Sequence, residues 1–470
     1  MNFWDSEVWT SIAIPAVLLL SLLIANIIKK SIPFLRNSLI PTSVLGGIML
    51  LLVDAIYKSF AGVRLLDTAL FGYNGTNAME IITYHCLALG FIASSFKPAK
   101  EKLTKERSVE IFNTGVTTVS TYLMQGLLGI GLTLFYAFLI DPEFFGVAGT
   151  LLPYGYGQGT GQALNYGAIY ENDYGFVGGK SFGLAVAALG FLSAALGGVI
   201  YLEIIKRKYN RHRQSEDTPA LSLGDVQGPD EIPMNGSIDK LTIQVGLVVC
   251  TYLLTYGVMN LLGSLIPSLR SVLFGFNFLF GVLFGTLASF LISKLRQGGV
   301  IKKEYVNPFL MKRISGFFFD VMIVAGLAAI RLEVISSYWM ILLALGIIGA
   351  VSTFVYNRFV AKRLFPGYSE EQFLVMYGML TGTASTGIVL LRELDPDFKT
   401  PASDNLVYQN FPAIVLGFPM MLLGTFAPKN PTATVIILAA AFLLMNVILF
   451  RRKLFCRKKD MQKQNQDSSK

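Results

Sequence analysis

Cysteine and histidine are almost missing from this chain, which has three cysteines (Cys86, Cys250, Cys456) and two histidines (His85, His212) in 470 residues. The cysteines are far apart in sequence, so neither a disulfide framework nor zinc-ligand spacing can be written. Charge is scarce as well, at 15% of residues against roughly 25% in a soluble domain. The basic residues do not form a face interleaved with aromatics, so nucleic acid is not an expected partner. Nucleophile-elbow, zinc and phosphate-loop motifs are lacking, so neither an enzyme nor a cofactor is expected.

Apolar residues fill the space, at 53% of the chain. Runs such as "VWTSIAIPAVLLLSLLIANII" and "ATVIILAAAFLLMNVILF" approach the roughly 20 residues with which a helix crosses about 30 Å of hydrocarbon. An all-α polytopic membrane protein follows. The first run has Asp5 and Glu7 before it and Lys29 and Lys30 after it. That is the reverse of a signal peptide's charge order, so it reads as a retained span. Spans are expected at about 8–28, 39–57, 80–97, 109–140 and 177–205, then 241–264, 270–293, 313–330, 338–362, 403–427 and 432–450. A charged, Pro- and Gly-rich segment over 206–240 reads as a linker between the two sets.

Two stretches remain, about 144–172 and 370–394, each interrupted at its middle by small and polar residues. Neither half of either stretch can cross a bilayer. The distribution of Lys and Arg tests whether both are re-entrant hairpins. With hairpins and the N-terminus outside, the outer segments hold only Lys58, Arg64, Lys180, Arg270, Arg331 and Lys429. Every other basic cluster, together with the linker and the C-terminal tail, then falls on the cytoplasmic side. Full spans would scatter the basic clusters over both faces.

Five spans before the linker make the two halves inverted. The first repeat is expected over 1–205 and the second over 241–428, each with five transmembrane helices plus one re-entrant hairpin. Residues 429–470 add an extra C-terminal span and a basic cytoplasmic tail. The halves also resemble each other: "YGQGTGQA" from Tyr156 pairs with "YGMLTGTAS" from Tyr377, and "LALGFIASS" around Gly90 with "MIVAGLAAI" around Gly326. Inverted repeats with interrupted segments indicate a secondary transporter with a midplane site, the first hairpin entering from outside and the second from the cytoplasm.

Irregular backbone at membrane depth must line protein or a water-filled cavity. A broken helix there offers free N–H groups to a carboxylate and free carbonyls to a small cation. Hydroxyl and amide oxygens of Gln158, Thr160, Thr381, Thr383, Ser385 and Thr386 suit a hard cation. Asp320 lies within a span, as a Na⁺ or H⁺ ligand or as a capping and pairing group. Asn410 follows the second hairpin and can add an amide oxygen to the same cavity. His85 reads as a buried structural histidine, Asp54 as interfacial and His212 as solvated in the linker. The glycines of "GLLGIGLT" and "GFLSAALGG" read as helix-packing positions.

Through "GQGTGQA", the "YGF" at Tyr174 to Phe176 and "YGMLTGTASTG", the chain resembles the sodium/glutamate symporter family over roughly residues 8–427. The resemblance implies ten helices and two re-entrant hairpins, with substrate and Na⁺ bound between the tips. It carries the binding role to Gly157, Gln158, Gly159, Thr160 and Gly161, and to Thr381, Gly382, Thr383, Ala384 and Ser385. The family's first tip usually reads Gly-Gly-His-Gly-Thr-Gly, and Tyr156 and Gln158 are the departures here. Thr160, Thr383, Thr386, Asp320 and Asn410 are the ion-coupling candidates, with Na⁺ the only metal. The expected function is import of glutamate or a related amino-acid or carboxylate anion by Na⁺ symport, as a homodimer in the cell membrane. A dicarboxylate or hydroxy-acid carrier coupled to Na⁺ or H⁺ is the alternative.

Overall fold

The protein is described by a computed structural model over residues 2–37, 40–96, 104–209, 231–232, 238–267, 270–395 and 399–451. Most of the expected linker and all of the basic tail beyond Arg451 lie outside the described residues, as do Cys456 and His212. Among the described residues the secondary structure is helical, with no strand.

The first half holds, besides the short helix Pro33–Asn37 and three 3-10 turns, α1 (Ser6–Ser31), α2 (Thr42–Ala61), α3 (Gly75–Ser95), α4 (Lys105–Leu139), α5 (Leu151–Gln158), α6 (Thr160–Tyr174) and α7 (Gly179–Tyr209). The second half holds α8 (Lys240–Leu265), α9 (Asn277–Gln297), α10 (Pro308–Ala328), α11 (Leu332–Leu364), α12 (Ser369–Thr381), α13 (Ala384–Arg392) and α14 (Asn410–Phe426), and α15 (Pro431–Leu449) follows. Leu, Ile, Val and Ala runs propagate these helices, and polar residues stop them. Asp239 caps α8 through the N–H groups of Leu241 and Thr242, and Asn307 and Asn430 cap α10 and α15, each followed by Pro at the first helical position.

Among the described residues nine helices are long and apolar enough to cross a membrane, and a tenth forms if Ala402–Tyr408 and Pro412–Phe426 are one span bent by 51°. Pro412 has no N–H for the Tyr408 carbonyl, which accounts for a break at that point. The stretch expected as a span at 313–330 is helical as α10, but α10, with 21 residues that include Lys312, Arg313 and Asp320, is not one of the nine. The run expected at 270–293 instead divides into a short helix, Arg270–Gly275, and α9.

The packing is reciprocal between the halves. α3 and α10 form the most extensive helix contact, where Ser315 Oγ donates to the Gly90 carbonyl at 2.9 Å. α2 packs on α10 and α1 on α2; correspondingly, α9 packs on α3 and α8 on α9. Likewise α4 crosses α11, α7 packs on α11, and α14 packs on α4. Small residues at these crossings, such as Gly46, Gly47, Gly281 and Gly285, bring the backbones close. α15 lies along α4, where Asn446 Nδ2 donates to Ser120 Oγ at 3.2 Å and Asn446 Oδ1 accepts from the Tyr356 hydroxyl at 2.9 Å.

Two positions differ from the sequence expectation. Asp54 is buried, accepting from Arg64 Nε at 2.5 Å and from the Leu66 N–H at 3.2 Å, because the turn after α2 folds Arg64 back over it. His85 is exposed rather than buried, with its Nδ1 2.7 Å from the Tyr252 hydroxyl on α8.

Candidate functional site

α5 and α6 fold back on each other about Gly159, and α12 and α13 fold back about Gly382 and Thr383. In the first hairpin the Tyr154 and Tyr166 rings stack at 3.7 Å, and Thr150 Oγ1 meets the Tyr170 hydroxyl at 2.5 Å, pairing residues in antiparallel register. Gly159 makes the turn at φ +82°, where a side chain would be strained.

α7 serves as the common rail. Its first turn packs at Gly167 of the first hairpin, and its later part packs on the second, where Tyr377 donates to the Ser193 carbonyl at 3.1 Å and Tyr201 to Glu370 Oε2 at 2.7 Å. Between them sits Gly190, where a Cβ would come within 2.5 Å of the Thr381 carbonyl and 3.2 Å of Tyr156. The hairpins therefore approach from opposite ends of α7, and their tips meet beside Gly190. A Cβ on Gly159 would lie 3.8 Å from Thr383 Cγ2 and 3.9 Å from the Gly382 carbonyl.

In the first turn of α6, just past Gly159, polar atoms lack partners. Thr160 Oγ1 and both amide atoms of Gln162 are buried without a hydrogen-bond partner among the described residues. Each such group costs about 1–3 kcal/mol when left unmade, so these atoms call for an explanation beyond packing. Thr160 packs against Gly326 of α10, and Gly161 against Leu87 of α3. Gln158 and Thr383 are half-buried and Ala384 is exposed.

Helix-end carbonyls at both tips are held by α4. The Tyr122 hydroxyl donates to the Gly157 carbonyl at 3.0 Å, and Gln125 Nε2 donates to the Leu380 carbonyl at 3.0 Å. The remaining sequence candidates have local partners or lie apart. Thr381 Oγ1 donates to the Tyr377 carbonyl of its own helix at 2.7 Å. Thr383 caps α13, accepting from the Thr386 N–H at 3.4 Å, with the two hydroxyls 3.3 Å apart. The side chain of Ser385 is outside the described residues. Asp320 is exposed on α10, six residues before Gly326. Asn410 is exposed and accepts from Gln409 Nε2 at 3.1 Å, whereas Gln409 itself is buried, accepts from Thr118 Oγ1 at 2.8 Å and donates to Met379 Sδ at 3.3 Å.

Tyr156, one of the departures from the family motif, is fully buried, and its hydroxyl donates to the Gly346 carbonyl at 2.6 Å. It anchors the hairpin to α11 and leaves Gln158 as the accessible departure. Sequence reasoning passed over Gln162, Tyr122, Gln125 and Gln409. It also missed a row of tyrosines on the first hairpin: Tyr154, Tyr166, Tyr170 and Tyr174 donate to the α14 carbonyls of Met420, Met421, Gly424 and Thr425 at 3.2, 2.7, 2.7 and 3.1 Å.

Among known proteins, residues 9–366 match the family model described as sodium/glutamate symporter. The match runs from the first span to just before α12, so it includes the first tip and ends short of the second. No curated protein matches the chain.

Proposed function

Because the chain belongs to the sodium/glutamate symporter family, a family of Na⁺-coupled transporters, we propose that it imports glutamate or a related amino-acid carboxylate by Na⁺ symport, binding it between the two hairpin tips. One observation supports the placement: just past the Gly159 turn, Thr160 and Gln162 are buried with no hydrogen-bond partner among the described residues. The α6 N-terminus at Thr160 has free N–H groups of positive character, suited to a carboxylate. Gln162 can donate to the carboxylate and accept from an ammonium group. On the second tip, Thr383 Cγ2 stands 3.8 Å from where a Gly159 Cβ would lie, with Thr386 beside it, while Asp320 and Asn410 are exposed elsewhere.

The proposal includes two inverted repeats of five spans and one re-entrant hairpin each, the α15 span added, the N-terminus outside, linker and tail cytoplasmic, and a homodimer in the cell membrane. The reciprocal packing of α2 and α9 on the opposite half's α10 and α3 supports the inversion. The opposed approach of the hairpins along α7 supports entry from opposite faces.

Uptake of radiolabelled glutamate into proteoliposomes tests the reading. It is expected to rise with an inward Na⁺ gradient and to be competed by the true substrate; stronger competition by dicarboxylates or hydroxy acids would shift the substrate class. Uptake that ignores both the Na⁺ gradient and an imposed potential would overturn Na⁺ symport here.

A further inference from the structure

The crossing of α4 and α11 contains a second polar cluster, next to the second tip. Thr121 and Gln125 lie four residues apart on α4, Thr353 and Asn357 four apart on α11, and all four are buried. Gln125 Nε2 donates to Thr353 Oγ1 at 2.8 Å as well as to the Leu380 carbonyl. Asn357 Nδ2 donates to Thr121 Oγ1 at 3.3 Å and to the Thr353 carbonyl at 3.0 Å. The arrangement is reciprocal: the amide of each helix reaches the threonine of the other.

A backbone carbonyl only accepts, so each of these contacts fixes which end of the amide is nitrogen. The opposite ends, Gln125 Oε1 and Asn357 Oδ1, are then carbonyl oxygens. Both are buried and have no hydrogen-bond donor among the described residues. Two unfilled amide oxygens and two threonine hydroxyls at one helix crossing are hard-oxygen donors, the kind that suit a small hard cation over a softer metal. The four side chains are uncharged, which suits a single positive charge better than two.

We propose that the α4–α11 crossing is a Na⁺ site. This rests on the Na⁺-symport reading above and assigns one coupling ion to Gln125, Asn357 and the threonines beside them. The same Gln125 amide that presents its oxygen to the ion holds the Leu380 carbonyl in the last turn of α12. A cation on that oxygen polarises the amide and strengthens its N–H donation to the second hairpin. Ion binding thereby fixes the tip against which the first hairpin closes.

Binding of ²²Na⁺ to the purified full-length protein in lipid nanodiscs, with choline as the replacing cation, tests the assignment. Asn357→Ala is expected to raise the Na⁺ concentration for half-saturation at least 10-fold or to remove one bound Na⁺ per chain, while elution on size exclusion is unchanged. Asn357→Asp is expected to retain the ion and make its binding pH-dependent, lost as the new carboxyl protonates. Should Asn357→Ala fail to fold, Asn357→Asp decides alone. Unaltered binding in Asn357→Ala, or pH-independent binding in Asn357→Asp, would overturn the site while wild-type binding leaves Na⁺ symport standing. A wild-type protein that binds no ²²Na⁺ would overturn both.

Discussion

Gln162 has both ends of a buried amide unsatisfied, which a stable fold does not select for its own sake. Replacing it by Leu removes the desolvated groups while keeping much of the volume. Gln162→Leu should therefore hold or raise the melting temperature of the ligand-free protein while lowering proteoliposome uptake at least 10-fold. A parallel fall in both would assign Gln162 to folding instead. Thr383 differs because its hydroxyl already caps α13; Thr383→Val should cost about 1 kcal/mol of stability, read as a lower melting temperature without substrate. Glycine and threonine density at the tips was legible in the sequence, and these residues do meet. Gln162, Gln125 and Tyr122 were not, because an amide or phenol on a helical face looks ordinary until its burial and partners are known. Asp54 was misjudged for a related reason: its partner Arg64 arrives through the turn that follows α2.

At the scale of elements, the paired short helices over Leu151–Tyr174 and Ser369–Arg392 were legible because each stretch is interrupted at its middle by small and polar residues and half of it is too short to span. Contacts between distant segments were not. The tyrosine row reaches α14 carbonyls some 250 residues away. Part of its logic is local to α14, since Pro428 cannot supply the N–H that the Gly424 carbonyl would take in a continuing helix. Tyr170→Phe should then leave that carbonyl unpaired and destabilise the protein by about 1–3 kcal/mol, seen as a lower melting temperature. Gly190→Ala is expected to do more, because its new Cβ meets the Thr381 backbone and no side chain can move aside. Loss of uptake should accompany a lower melting temperature. Gly246→Ala on α8 is the control: nothing lies within 4 Å of its Cβ position, and a helical Gly→Ala change there should add about 0.5–1 kcal/mol.

For the whole molecule, the proposed inversion predicts which face each hairpin opens to. In a chain with its cysteines replaced by Ser, Val177→Cys, just after the first hairpin, should react with a membrane-impermeant maleimide added outside. Gly367→Cys, just before the second, should react only from the cytoplasmic side. Labelling of both from one face would refute opposed entry. Moving one negative charge inward costs about 2.3 kcal/mol per 100 mV of inside-negative potential, so voltage-driven accumulation of a monoanion requires at least two Na⁺ per cycle. The rail helix α7 adds a further constraint. Gly190 stands eleven residues from Gly179 and eleven from Tyr201, a total rise of about 33 Å, comparable to the hydrocarbon thickness. On the proposed placement, a ligand at the tips then sits at an electrical distance near one half. Each Na⁺ that reaches it from outside traverses about half the field, worth roughly 1.2 kcal/mol per 100 mV, and the rest of the voltage dependence falls on the step that carries the site inward.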